Sequence, residues 1–175
     1  VIVGGRDPSA WFLIQMDPPV FVVGSAIPWP LSERRVARLA AELASASGHT
    51  LSLLSLPDRD AEAWLSAAIA PSDDRDRSER RALLRERTNG AEWTQIERLG
   101  ETLSTQGITP FSLLKKAKAR ALRASIVAVG HAGALAHVQH LLPESEPERQ
   151  ELLASGVRFA LGADLEILRR RAGWS

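Results

Sequence analysis

The 175-residue chain contains no cysteine. That excludes disulfide staples, thiolate nucleophiles and Cys-ligated zinc, and it fits a reducing compartment such as the cytoplasm, where we expect the protein to reside. It also lacks a dominant charge: 22 Lys and Arg stand against 21 Asp and Glu. A near-neutral balance supplies no whole-protein field to gather nucleic acid or an anionic membrane, so neither is expected as a partner. No apolar run approaches the roughly 20 residues that a membrane helix needs, and the start lacks the basic-then-apolar pattern of a signal peptide. Because the chain begins at Val1, it reads as a segment of a longer protein, such as the cytoplasmic part of a transporter or sensor; Trp174 and Ser175 are assigned no role.

What is present is a 45% hydrophobic, 25% charged composition, enough for one ordinary globular domain with a real core. Two apolar runs, 1–4 and 10–16, flank the turn-rich Gly5-Arg6-Asp7-Pro8-Ser9 and suggest an N-terminal hairpin extension over residues 1–17. Val20-Phe21-Val22-Val23 is short, continuous and mostly β-branched, the pattern of a central strand buried on both faces. Ser32 and Glu33 open a helix in which Val36, Leu39, Ala40 and Leu43 form one apolar stripe, and Gly48 closes it. Residues 50–56 then read as a second buried strand, completing a strand-helix-strand unit with a parallel sheet.

Downstream, 61–70 reads as a helix, and the highly charged 72–87 as a solvated helix or connection. Residues 92–105 read as a helix leading into an edge strand. Pro110 starts a helix with Phe111, Leu114 and Ala117 inward and Lys115, Lys116, Lys118 and Arg120 outward. Ser125-Ile126-Val127-Ala128-Val129 reads as a buried strand, and Gly130-His131-Ala132-Gly133 opens the following helix. A helix over 147–155, a strand over 157–161 and a terminal helix near 165–171 complete the expected fold. It is an α/β domain over 18–173: an open parallel five-stranded sheet in three α/β/α layers, plus the hairpin.

From Val20 to Leu142 the chain resembles the universal stress protein family, carried by Val20 to Gly24, by Gly48-His49-Thr50-Leu51-Ser52-Leu53-Leu54, by Gly107-Ile108-Thr109-Pro110, and by Ala124 through Gly133. The resemblance implies a Rossmann-like sheet and an adenine-nucleotide crevice at its strand ends, with Gly24, Ser25, Gly130, His131 and Gly133 as the binding residues. The family's Gly-x2-Gly-x9-Gly-Ser/Thr pattern keeps only its first half: beyond Gly133 the spacing lands on Pro143 and Glu144, one lacking an N–H and the other repelling phosphate. The strand-end aspartate is replaced by Gly24-Ser25. These departures point to a stress-protein-like regulatory or binding domain without catalysis and without ATP bound in the family manner, acting through a homodimer or an intramolecular partner domain. ATP or another adenine nucleotide as ligand is the alternative. A metal-dependent aldolase-like enzyme is a third reading, raised by the similarity of 156–165 to the closing strand and helix of class II aldolases.

Among single residues, His131, His137 and His140 are spaced poorly for a metal, so no metal site is expected. The Lys115–Arg120 run, without exposed aromatics beside it, reads as a solvated face. Trp11, Trp29 and Trp64 read as packing anchors, with Trp11 also suited to a partner interface, because a hairpin edge invites strand pairing.

Overall fold

A computed structural model describes residues 2–3, 7–14, 16 and 18–174. It is predominantly helical, and this overturns the expected five-stranded α/β/α sandwich and, with it, the likeness to universal stress proteins. Among the described residues the strands are β1 (Ile2–Val3), β2 (Trp11–Ile14) and β3 (Val20–Val23). Their order is β1-β3-β2, so Val20–Val23 is central as expected, but in a small sheet and buried on one face only, through Phe21 and Val23. The expected hairpin between 1–4 and 10–16 is replaced: β1 pairs parallel with β3, and β2 pairs antiparallel with β3. Residues 1 and 4–6 lie outside the described residues.

The helices are α1 (Glu33–Ser47), α2 (Leu51–Leu54), α3 (Asp58–Ile69), α4 (Arg75–Arg87), α5 (Gly90–Thr105), α6 (Pro110–Val129), α7 (Glu146–Leu161) and α8 (Ala163–Arg171). Two short 3-10 segments, Ala132–His137 and Gln139–Leu141, lie between α6 and α7. Three expected strands are therefore helical: 50–56 contains α2, 125–129 is the last turn and a half of α6, and 157–161 is the end of α7. The edge strand expected within 92–105 is likewise part of α5. An apolar run of four or five residues satisfies a buried strand and a buried helix face equally well, and the neighbouring helix simply continues through it. None of these helices is long and apolar enough to cross a membrane, among the described residues.

The chain divides into two compact units, residues 1–54 with 117–175, and residues 55–116. In the first, Phe21, Val23 and Ile27 form a buried cluster with Trp11, Leu13, Leu31 and Leu39 packed against it. Trp11 meets Phe21 edge to face, with centroids 4.6 Å apart. Helix α1 buries Ala37, Ala41 and Ser45, not the expected Leu43, which is exposed. The small residues face α6: the buried Ser125 hydroxyl donates to the Ala37 carbonyl at 2.8 Å, a distance that large side chains at the crossing would prevent. On α6 the buried positions are Leu114, Lys118, Ala121, Leu122, Ser125 and Ile126, a helical stripe running unbroken to the end. Consequently Lys118 is 5% exposed although it was expected to point out, while Phe111, expected inward, is exposed.

The second unit contains α3, α4 and α5. Arg81 organises it: its guanidinium stacks over buried Trp93 at 4.8 Å and donates to the Ala67 and Ala68 carbonyls at 2.9 and 3.1 Å. Those carbonyls belong to the last turn of α3, where the helix has no N–H left to satisfy them. Asn89 and Glu92 form a reciprocal capping box at the start of α5. Helix α4 has no buried residue, in keeping with its charge-rich sequence.

At Gly100 an added Cβ would lie 2.1 Å from the Ile69 carbonyl oxygen, so α5 and α3 touch backbone to backbone. Gly100→Ala is expected to destabilise the second unit by about 1–3 kcal/mol through overpacking. In the first unit, Ile126→Ala, at a fully buried position, should cost about 2–5 kcal/mol. Urea unfolding followed by circular dichroism measures both.

Candidate functional site

Gly24, Gly130 and His131, three of the residues expected to hold a nucleotide, are engaged in contacts within the chain. Gly24 follows β3, but a Cβ there would lie 2.2 Å from the Pro8 carbonyl oxygen, so the glycine is packed against the turn before β2. Its N–H donates to the Ala10 carbonyl at 2.7 Å and cannot serve a phosphate. Ser25 lies exposed in the turn that follows. Gly130 terminates α6 with φ +97, a left-handed conformation that favours glycine, and its N–H donates to the Ile126 carbonyl. The space beside it is filled by Arg169, 2.7 Å from where a Cβ would stand, whose Nη1 donates to the Val127 carbonyl at 2.9 Å. The guanidinium thus caps α6 at the place where the phosphate cradle was expected.

Gly133 donates its N–H to Nδ1 of His131 at 3.1 Å, closing a tight turn at the head of the 3-10 segment. With Nδ1 accepting, the other ring nitrogen of a neutral His131 carries the proton. That atom, Nε2, lies 3.4 Å from Oε1 of Glu33, and Nε2 of His137 lies 3.4 Å from the same oxygen. Glu33, read from sequence only as a helix-start carboxylate, therefore stands between two imidazoles and ties the N-terminal turn of α1 to the 3-10 segment. Among the described residues no group of three or more His, Asp or Glu side chains is placed to hold a metal ion. The helical spacing of 131 and 137 carried no sign of this tie, because the partner lies almost a hundred residues earlier.

A second polar group lies farther along α1. Arg38 Nε donates to Glu42 Oε1 at 2.6 Å, and the other carboxylate oxygen of Glu42 is buried. His140 feels both. Partial burial of its ring and the nearby Arg38 charge lower its pKa below the ordinary histidine value, while Glu42 pulls the other way.

A further unpaired feature among the described residues is the free side of β2. Along this strand exposure alternates, with Trp11 and Leu13 directed to the core and Phe12 and Ile14 outward, 50% and 40% exposed. Phe12 lies opposite Val22 and Ile14 opposite Val20, so the outer face is as apolar as the inner one. Among the described residues β2 pairs only with β3, leaving its other edge open. The Gly24-to-Ala10 hydrogen bond fixes the alternation of the ladder: the N–H and C=O groups of Phe12 and Ile14 face β3, and those of Trp11 and Leu13 face outward.

No protein-family model, curated protein or solved structure matches the chain.

Because the pKa of His140 is depressed in the fold, the unfolded chain binds the proton more readily, and stability falls as the pH drops below about 6.5, the unperturbed value. The loss is complete once the pH lies below the folded pKa. His140→Gln should flatten this acid-side decline while leaving stability above neutrality nearly unchanged, as read from urea midpoints at a series of pH values.

Proposed function

We propose that the chain is a non-catalytic binding domain that works by pairing with a second copy of itself along the open edge of β2. The observation that carries this reading is an edge strand apolar on both faces. From Ala10 to Met16 the sequence contains neither a charged residue nor a proline, two of the devices by which edge strands resist pairing.

An antiparallel pair of identical strands is self-complementary about a two-fold axis. Centring the axis at Phe12 sets the outward N–H and C=O groups of Trp11 against those of Leu13 in the other copy, giving roughly four hydrogen bonds. The two Phe12 rings then meet across the axis, and the outer apolar faces of both sheets become one surface. No charge is buried in doing so.

Magnitudes decide what kind of dimer this is. Fully burying a Phe or Ile is worth roughly 1.5–3 kcal/mol, so completing the burial of four half-exposed side chains supplies roughly 3–6 kcal/mol. Association costs about 4–15 kcal/mol in lost rigid-body freedom. The strand hydrogen bonds must make up the difference, which places the pairing in a weak, concentration-dependent range suited to a regulatory contact.

Sedimentation equilibrium from low micromolar to several hundred micromolar protein should show a reversible monomer–dimer exchange. Phe12→Lys, which puts a charge on the outer face without touching the core side of β2, should leave a monomer throughout, with an unchanged helical circular dichroism spectrum. A wild-type protein that stays monomeric at the highest concentration, or a Phe12→Lys dimer of unchanged strength, overturns the reading.

A further inference from the structure

Helices α6, α7 and α8 enclose a cleft of about 730 Å³ in the first unit, on which Arg123, Arg158 and Arg171 converge with a single carboxylate, Asp164. Four other arginines are neutralised within their own helices: Arg38 pairs with Glu42, Arg75 with Glu79, Arg149 with Glu146 and Arg170 with Glu166. The three guanidiniums in the cleft form no such ion pair among the described residues. They have no acid four residues away on their own helices to form one. Arg123 is held instead over the Phe159 ring, 5.5 Å from its centroid, which fixes its plane and leaves its N–H groups for a ligand.

The cleft does not end at its charges. Arg123 and Leu168 also line an adjoining groove of about 670 Å³ between α1, α6 and α8. Its walls are Leu43 and Ala44 from α1, Ala124 and Ala128 from α6, and Trp174 beyond α8. Trp174 is anchored there: its backbone N–H donates to the Arg169 carbonyl at 2.9 Å, and its ring lies under the Arg169 guanidinium. Leu168, 42% exposed at the junction, joins the cationic cleft to the apolar groove.

A surface cationic at one end and apolar at the other is complementary to a ligand with the same two parts in opposite charge. We infer that this continuous site binds a soluble amphiphilic anion, a carboxylate or phosphate monoester on an unbranched apolar chain. The head group sits among Arg123, Arg158 and Arg171, and the chain lies along the α1–α6–α8 groove. Guanidiniums suit the head because their forked donors match carboxylate and phosphate oxygens in pairs. The chain supplies affinity by leaving water, and the charge sets its direction in the groove.

Isothermal titration with monomeric dodecanoate and dodecyl phosphate, kept below micelle formation, should show one site per chain. Butyrate, which keeps the head, and dodecyltrimethylammonium, which keeps the tail and reverses the charge, should each bind at least about tenfold more weakly. The exposed substitutions Arg158→Glu and Arg171→Glu should each weaken dodecanoate by at least about tenfold. Leu168→Asp should abolish the advantage of dodecanoate over butyrate, and circular dichroism of each variant confirms that the helices persist. Equal binding of anionic and cationic chains, several weak sites per chain, insensitivity to the arginine changes, or binding to anionic phospholipid vesicles without binding to free dodecanoate would each overturn the inference.

Discussion

The first unit depends on how closely α1 and α6 approach one another. Ser125 is fully buried, and its hydroxyl donates to carbonyls of both helices, Ala37 across the crossing and Ala121 one turn back. A hydroxyl is expensive to bury without a partner, and this one is satisfied only if the two backbones lie within reach of a side chain as short as serine. The alanines at 37 and 41 make that possible. Once the crossing is fixed, α6 can run on to Val129, Gly130 can turn the chain, and Arg169 can reach the Val127 carbonyl to hold α8 in place. A second set of small residues, Ala40 and Ala44 on α1 with Ala124 and Ala128 on α6, keeps side-chain bulk low along the flank of the crossing, where the groove lies.

Charge and apolar surface are distributed differently over the first unit. The outer face of β2 and β3 is apolar without charge, whereas the cleft at α7 and α8 is cationic with an apolar floor. On α1, Glu33 stands between two histidines of the 3-10 segment and ties the helix to it, while Glu42 pairs with Arg38 on the same helix. These three settings ask for different things of their surroundings: a like strand, an opposite charge, and a fixed neighbour.

Several elements were legible in the sequence. Val20–Val23 is a central strand, Ser32 and Gly48 bracket α1, and the charged run after residue 71 forms a helix that buries nothing. The apolar character of Ala10 to Met16 also pointed to an open edge. The errors share one cause. Leu51–Leu54, Ser125–Val129 and Val157–Leu161 are short runs whose residues, taken apart from their neighbours, suit either state. Between Pro110 and Gly130 there is no glycine or proline to end a helix, and the positions buried from Leu114 to Ile126 keep one helical period; that continuity was the available signal. The arginine cleft depends on 157–161 being helical, which brings Arg158 to the same cleft as Ser155 and Phe159, and that helicity was not legible in the run itself. The tie between Glu33 and His131 joins positions far apart in sequence, beyond the reach of local periodicity.

The order of the units along the chain bears on how the protein is made. Residues 55–116 are a single uninterrupted stretch, whereas the other unit is assembled from both flanks of that stretch. During synthesis from the N-terminus, Phe21, Val23 and Ala37 emerge long before Ser125, Ile126 and Leu165 exist to cover them. The middle portion can finish folding on the ribosome while the earlier strands still wait with their apolar side chains unshielded. In that interval an uncharged segment such as Trp11–Ile14 is most in need of a chaperone, and nascent chains on neighbouring ribosomes are most exposed to one another.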